Sequence, residues 1–135
     1  MKKFLVVFGV LFIMSCSNKS NISYDDLFGK SFTLTNLYTD KKLTLLFADT
    51  NFVSGYSGIN RFNSSFKLEG NNIIFENMIS TLMSGSEEDM KIEDSYLKLL
   101  NSAKNISISE NTLTIETTTG TNLIYEYSGD ANIIM

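Results

Sequence analysis

The sequence predicts a mainly β domain of the β-rich α+β kind: a small antiparallel, barrel-like sheet of about eight strands with one helix packed against it. Three observations carry this. Apolar and polar residues alternate at a period of two, as where Phe62, Phe66 and Leu68 oppose Arg61, Asn63, Ser65 and Lys67. That pattern belongs to a strand with one face in a core and one in water. The runs are separated by clusters of Asp, Asn, Gly and Thr, such as Glu69-Gly70-Asn71-Asn72, which make hairpin turns. One stretch, Ser86 to Ser102, switches to helical spacing, with Ile92, Tyr96, Leu99, Leu100 and Ala103 on one stripe. Short strands in such number leave raw edges unless the sheet closes, and a closed sheet of this size holds side chains or one small ligand.

The elements follow in order. Asp25-Asp26-Leu27-Phe28-Gly29 predicts one helical turn closed by Gly29, its aspartates serving as cap and solvent charges. Phe32 and Leu34 alternate with threonines. Asp40-Lys41 is a turn, and Leu43, Leu45 and Phe47 then share one face. Ala48 to Asn51 is a second turn before a return strand from Phe52 to Tyr56. The stretch from Val53 to Phe62 holds Gly55 and Gly58, whose backbone freedom predicts a corner where the sheet folds back. Ile73-Ile74-Phe75 is the next strand. Ser86 is a candidate N-cap, and Glu87, Glu88 and Asp89 suit the positive end of the helix that follows. Its apolar stripe needs a sheet or a barrel opening to cover. Ile106 with Ile108, Leu113 with Ile115, and Leu123 to Tyr127 close the domain. A faint echo between Leu43–Gly58 and Leu113–Gly129 reads as two similar hairpins rather than a repeat.

The N-terminus reads as a processing signal. Lys2 and Lys3 precede an apolar run from Phe4 to Met14, too short to span a membrane comfortably as a helix. It ends at Ile13-Met14-Ser15-Cys16, where a small residue before a lone cysteine looks like a bacterial lipobox. The division is therefore a leader over residues 1–15, a lipidated Cys16 with a polar tether over 16–24, a domain over 25–128 and a tail over 129–135. Cys16 is the only cysteine, so the mature domain has no disulfide and no thiol chemistry. Loss of Lys2 and Lys3 takes the formal charge from −4 to −6. Lipid, not a basic patch, must then hold the domain at a membrane. The acidic balance makes nucleic acid a poor partner.

Composition also limits the chemistry. The chain has no His, no Trp and no Pro, which removes Ser-His and Cys-His pairs and imidazole metal ligands. Glu87-Glu88-Asp89 lacks the alternating oxygen pattern of a calcium loop. No Gly-rich phosphate loop and no metal-ligand spacing is present. No metal and no cofactor are expected.

Several local strings resemble the META domain family, also called HslJ-like. Gly58-Ile59-Asn60-Arg61-Phe62 is similar to that family's Gly-Cys-Asn-Arg-Phe string after a Val-x-Gly-x strand. Ser80-Thr81-Leu82-Met83-Ser84-Gly85 is similar to its Ser-Thr-x-Met-x-Cys string. The helix carries Glu93, Tyr96 and Leu97 in the family's Glu-x-x-aromatic-Leu pattern. Leu27, Gly29, Phe32 and Leu34 match its opening, with Phe32 where a tryptophan is common. The resemblance covers about Leu27 to Tyr127. Ile59 and Gly85 stand where many members have cysteines, so no disulfide forms there, and Ile59 is expected to face a core. The resemblance implies a compact β-rich fold with one helix, a bacterial envelope location and links to stress or antibiotic tolerance. It names no reaction. That fold is said to resemble small lipoprotein pilots of secretins, a fold-level analogy only.

Gly58, Asn60, Arg61, Phe62, Ser80, Thr81, Met83 and Glu93 are the candidate binding or structural residues. Two readings stand for Asn60 and Arg61. In one, Arg61 anchors an acidic partner group at a barrel rim through its planar guanidinium. In the other, which is preferred, Asn60 bonds the turn backbone and Arg61 pairs with Glu93. Ser80 to Met83 reads as a packed crossover, with a ligand-gating loop as the alternative, in which Met83 is an adaptable apolar contact. The expectation for function is a non-enzymatic envelope lipoprotein, a monomer held by lipid on Cys16. The outer membrane, facing the periplasm, is preferred to the inner. Its domain would contact an envelope protein segment or a hydrophobic ligand. The alternative is a ligand-free structural protein of the envelope.

Overall fold

The computed structural model describes residues 22–49 and 51–130. The leader, Cys16, the tether through Asn21, Thr50 of the second turn and the tail from Ala131 to Met135 lie outside the described residues. The strands are β1 (Lys30–Leu34), β2 (Thr44–Asp49), β3 (Phe52–Tyr56), β4 (Arg61–Glu69), β5 (Asn72–Ser80), β6 (Ala103–Ser109), β7 (Thr112–Thr117) and β8 (Asn122–Asp130). A short helix, α1 (Tyr24–Leu27), precedes them, and α2 (Glu87–Asn101) lies between β5 and β6. Neighbours in sequence pair antiparallel and β1 pairs with β8, so the described residues form a closed barrel. The fold class read from sequence is the fold observed.

The glycines of the corner act in two ways. Gly58 has φ +115°, the left-handed region where a side chain is strained. Gly55 is there for space, not for angle. A β carbon on it would sit 2.2 Å from the Thr44 carbonyl oxygen and 2.7 Å from the Phe62 ring. Gly55 pairs with Phe62 across β3 and β4, so the ring lies over bare backbone. β5 runs well past the expected Ile73–Phe75. Asn77 takes φ 57° in a bulge, where the register against β4 shifts between Asn63 and Ser65. The extra residue resets the alternation and lets the strand continue to Ser80.

Large side chains occupy the interior. Phe32, Phe47, Phe62, Phe66, Tyr96 and Tyr125 are among its largest fully buried side chains. Phe47 meets Phe66 edge-on at 5.4 Å between centroids, and Phe32 meets Phe47 at 6.0 Å, the geometry that ring quadrupoles favour. One barrel end is closed by α1 and the residue pair before it. Ile22 is buried, its amide donates to Asn71 Oδ1 at 2.9 Å, and Leu27 is buried. The packed fold therefore includes Ile22, inside the stretch read as tether, and β8 continues to Asp130. The Ser23 amide donates to the Asp26 carboxylate at 2.9 Å, which gives one aspartate the expected capping role.

The other end is covered by α2. Ser86 Oγ accepts from the Asp89 amide at 3.1 Å, the N-cap read from sequence. Tyr96 and Leu100 are fully buried, while Ile92, Leu97 and Leu99 are partly buried against the core. The Tyr96 and Tyr125 hydroxyls meet at 2.8 Å inside the barrel. Burial pushes both phenols above their ordinary range. Lys41 pairs with Asp89 and ties α2 to the loop between β1 and β2. Because the chain leaves the sheet to build α2, β5 and β6 meet only at Asn72 and Asn105.

Candidate functional site

Asn60 stands in the turn between β3 and β4 and is 3% exposed. Its side chain makes four hydrogen bonds, all an amide can make. Nδ2 donates to the Met83 carbonyl at 3.1 Å and to Glu93 Oε2 at 2.7 Å. Oδ1 accepts from the Thr81 hydroxyl and from the Met83 amide, each at 2.7 Å. One buried side chain thus joins the β3–β4 turn, the loop after β5 and the helix α2.

Glu93 completes the cluster. Its Oε1 accepts from the Asn60 amide at 2.8 Å and from Ser57 Oγ at 2.6 Å. The single Ser57 proton serves that short bond, with the Asn60 carbonyl 2.9 Å away. Burial pushes the Glu93 carboxyl up. The hydrogen bonds from Ser57, from the Asn60 side chain and from the backbone of Asn60 and Ile59 outweigh it, so the net displacement is downward. Glu93 is therefore held as a carboxylate at neutral pH.

Of the residues singled out from sequence, Gly58, Asn60, Thr81, Met83 and Glu93 come together here. Phe62 lies beneath them in the core, and Ser80 ends β5 beside it, paired with Phe62. Arg61 does not join. Strand alternation turns Asn60 inward and Arg61 outward, and Arg61 has no ion pair among the described residues. The expected Arg61–Glu93 pair is replaced by Asn60 and Ser57. Ser57 was not singled out, although its place three residues before Asn60 is the signal of a turn closed by side chains. Ile59 does not enter the core. It packs on Gly85, where a β carbon would lie 2.6 Å from Ile59 Cδ1. Ile59 and Gly85, where the resemblance implies cysteines in many members, are in contact here without a covalent bond.

The pinned loop shows its apolar side chains to water. Leu82 is 94% exposed and Met83 is 61% exposed, although the Met83 backbone is held at both its amide and its carbonyl. Ile79, on the outer face of β5, is 66% exposed and pairs with Asn63 of β4. Arg61 is the next outward residue along β4, and its carbonyl accepts from the Thr81 amide. Ile79, Leu82, Met83 and Arg61 thus border one face at this end of the barrel. A cavity of about 270 Å³ lies elsewhere, among Lys30, Phe32, Ile108, Glu110 and Tyr127. Among the described residues no acidic, Cys or His cluster is arranged to hold a metal ion, and no helix is long and apolar enough to cross a membrane.

A protein from Burkholderia xenovorans, solved by NMR, matches with a TM-score of 0.64 at 18% identity, over 83% of this chain and 92% of that one. A second NMR structure matches with a TM-score of 0.62 at 21% identity, over 78% of this chain and 94% of that one. A crystal structure of a DUF4847 family protein from Bacteroides vulgatus matches with a TM-score of 0.58 at 10% identity, over 80% of this chain and 98% of that one. At such low identity these likenesses show the fold alone. No curated protein matches the chain. The family model of the META domain matches residues 23–129, from the turn before α1 into the last strand, and the chain belongs to that family.

Proposed function

We propose that this protein is a non-enzymatic docking module of the bacterial cell envelope, held by lipid on Cys16, that grips a segment of another protein. One observation carries the reading: a loop fixed from below by Asn60 projects Leu82 and Met83 into water. A loop held so firmly has little ordering entropy left to lose when a partner docks. Arg61 beside it suits a partner carboxylate. The large buried side chains inside the barrel favour a protein segment over a hydrophobic ligand held inside. The hydroxyl–carboxylate pair of Ser57 and Glu93 is in keeping with the non-enzymatic reading, because the Ser57 side chain is fully buried. The outer membrane, facing the periplasm, remains the preferred location, and a role in envelope stress is in keeping with such docking.

The test uses the full chain in its own cells with a photo-crosslinking amino acid at Leu82 or, as control, at exposed Glu116 of β7. A discrete adduct from Leu82, weakened by Arg61→Glu and absent from Glu116, is the expected result. Equal patterns from the two positions, or no adduct from Leu82, would overturn the reading.

A further inference from the structure

β5 is a nine-residue strand with one finished side. Toward β4 it is paired from Asn72 to Ser80. Toward β6 it is paired only at Asn72, with one more bond from the Ile106 amide to the Asn71 carbonyl. From Ile74 to Ser80, no backbone hydrogen bond joins the far side of β5 to α2 or to any strand among the described residues, although α2 packs near it. Seven residues of extended chain span about 23 Å, more than a typical strand needs to pair. Such an edge is a template for another extended chain. Its protections are the Asn77 bulge and the nearby α2; it has no proline, and two exposed isoleucines, Ile74 and Ile79, lie along its outer face.

We infer that the partner segment binds by strand addition to the unpaired edge of β5, lying as an extended chain along Ile74–Ser80, beyond the start of β6. This rests on the docking reading above and gives it a mode. The segment's alternate side chains are apolar, to cover Ile74, Ile79 and Leu82, and it carries a carboxylate at the Ser80 end to meet Arg61. A second copy of this chain is the competing occupant, since the same edge could pair with itself.

The experiment measures amide hydrogen exchange of the full-length protein in detergent. The probe is a synthetic nine-residue peptide alternating valine and threonine around one aspartate. Its control is the same peptide N-methylated at alternate residues, which keeps the side chains and removes the backbone donors. The expected result is exchange slowed about tenfold or more over Ile74–Ser80 with the plain peptide and unchanged with the methylated one. Ile74→Lys, a charge on an already exposed position, should abolish the slowing without lowering the Tm. Equal slowing by both peptides, or slowing by neither, overturns strand addition. Slowing that grows with protein concentration in the absence of peptide, together with a dimer mass, assigns the edge to a second copy and overturns it too. The crosslink from Leu82 uses no peptide, so the docking reading stands or falls separately.

Discussion

Asn60 shows how much one side chain can organise when each of its polar atoms has a partner. Asn60→Ala removes four hydrogen bonds at once, and each buried group left unpaired costs about 1–3 kcal/mol. A lower Tm is expected, and Asn60→Asp should fall further. It sets a second carboxylate at the 2.7 Å contact with Glu93, and like charges there oppose each other. Thermal melts of the two variants check the order, and acid should narrow the gap between them. Glu93 gives a pH prediction of its own. Its pKa is depressed in the folded state, so its contribution is fully present at neutral pH. It is lost as pH falls through and below the ordinary glutamate range. A melt series in acid should show that loss in the wild type and a flatter limb in Glu93→Gln. Both residues were legible in the sequence, but their pairing was not. Neighbours on a strand point opposite ways, so Asn60 and Arg61 cannot both reach Glu93. Only the position of the turn decides which one does.

Among the elements, α2 was the most legible and the end of β5 the least. The stripe from Ile92 to Leu100 repeats at a helical period that nothing else in the chain shows, and Ser86 marks its start. The stripe alone did not rank its members. Leu99 is only partly buried, whereas Leu100 and Tyr96 are fully so. Leu100→Ala is therefore expected to cost about 2–5 kcal/mol, the range for truncating a packed leucine. Lys98→Ala should stay within about 0.5 kcal/mol, since Lys98 is exposed and its bond to Asp94 is a surface pair. Chemical denaturation of the two variants measures the contrast. β5 escaped because a bulge breaks period two. With Asn77 inserted, Met78 faces inward where simple alternation puts it outward, and the alternation in the sequence stops at Phe75.

At the scale of the whole molecule, closure was argued from what open edges cost, and it holds where β1 meets β8. The single meeting of β5 with β6 was hidden, because the sequence shows a helix between two strands but not how far apart it holds them. Attachment is tested here as well. Cys16→Ala should move the protein from the membrane to the soluble fraction, and cell fractionation with mass analysis of the wild type shows whether lipid is present. Closure also sets direction. Ile22, where the tether would enter, is bonded to the turn at the start of β5, and the pinned loop follows that strand's other end. Nine residues of strand rise about 30 Å, and a tilt of about 40° leaves a height of roughly 20 Å. Charges in cell-like salt are screened over about 8 Å. Under the anchoring proposed at Cys16, the barrel would act as a pedestal. It would lift Leu82, Met83 and Arg61 beyond the field of the bilayer, so a partner would meet them on the same terms whether the lipid headgroups are anionic or neutral.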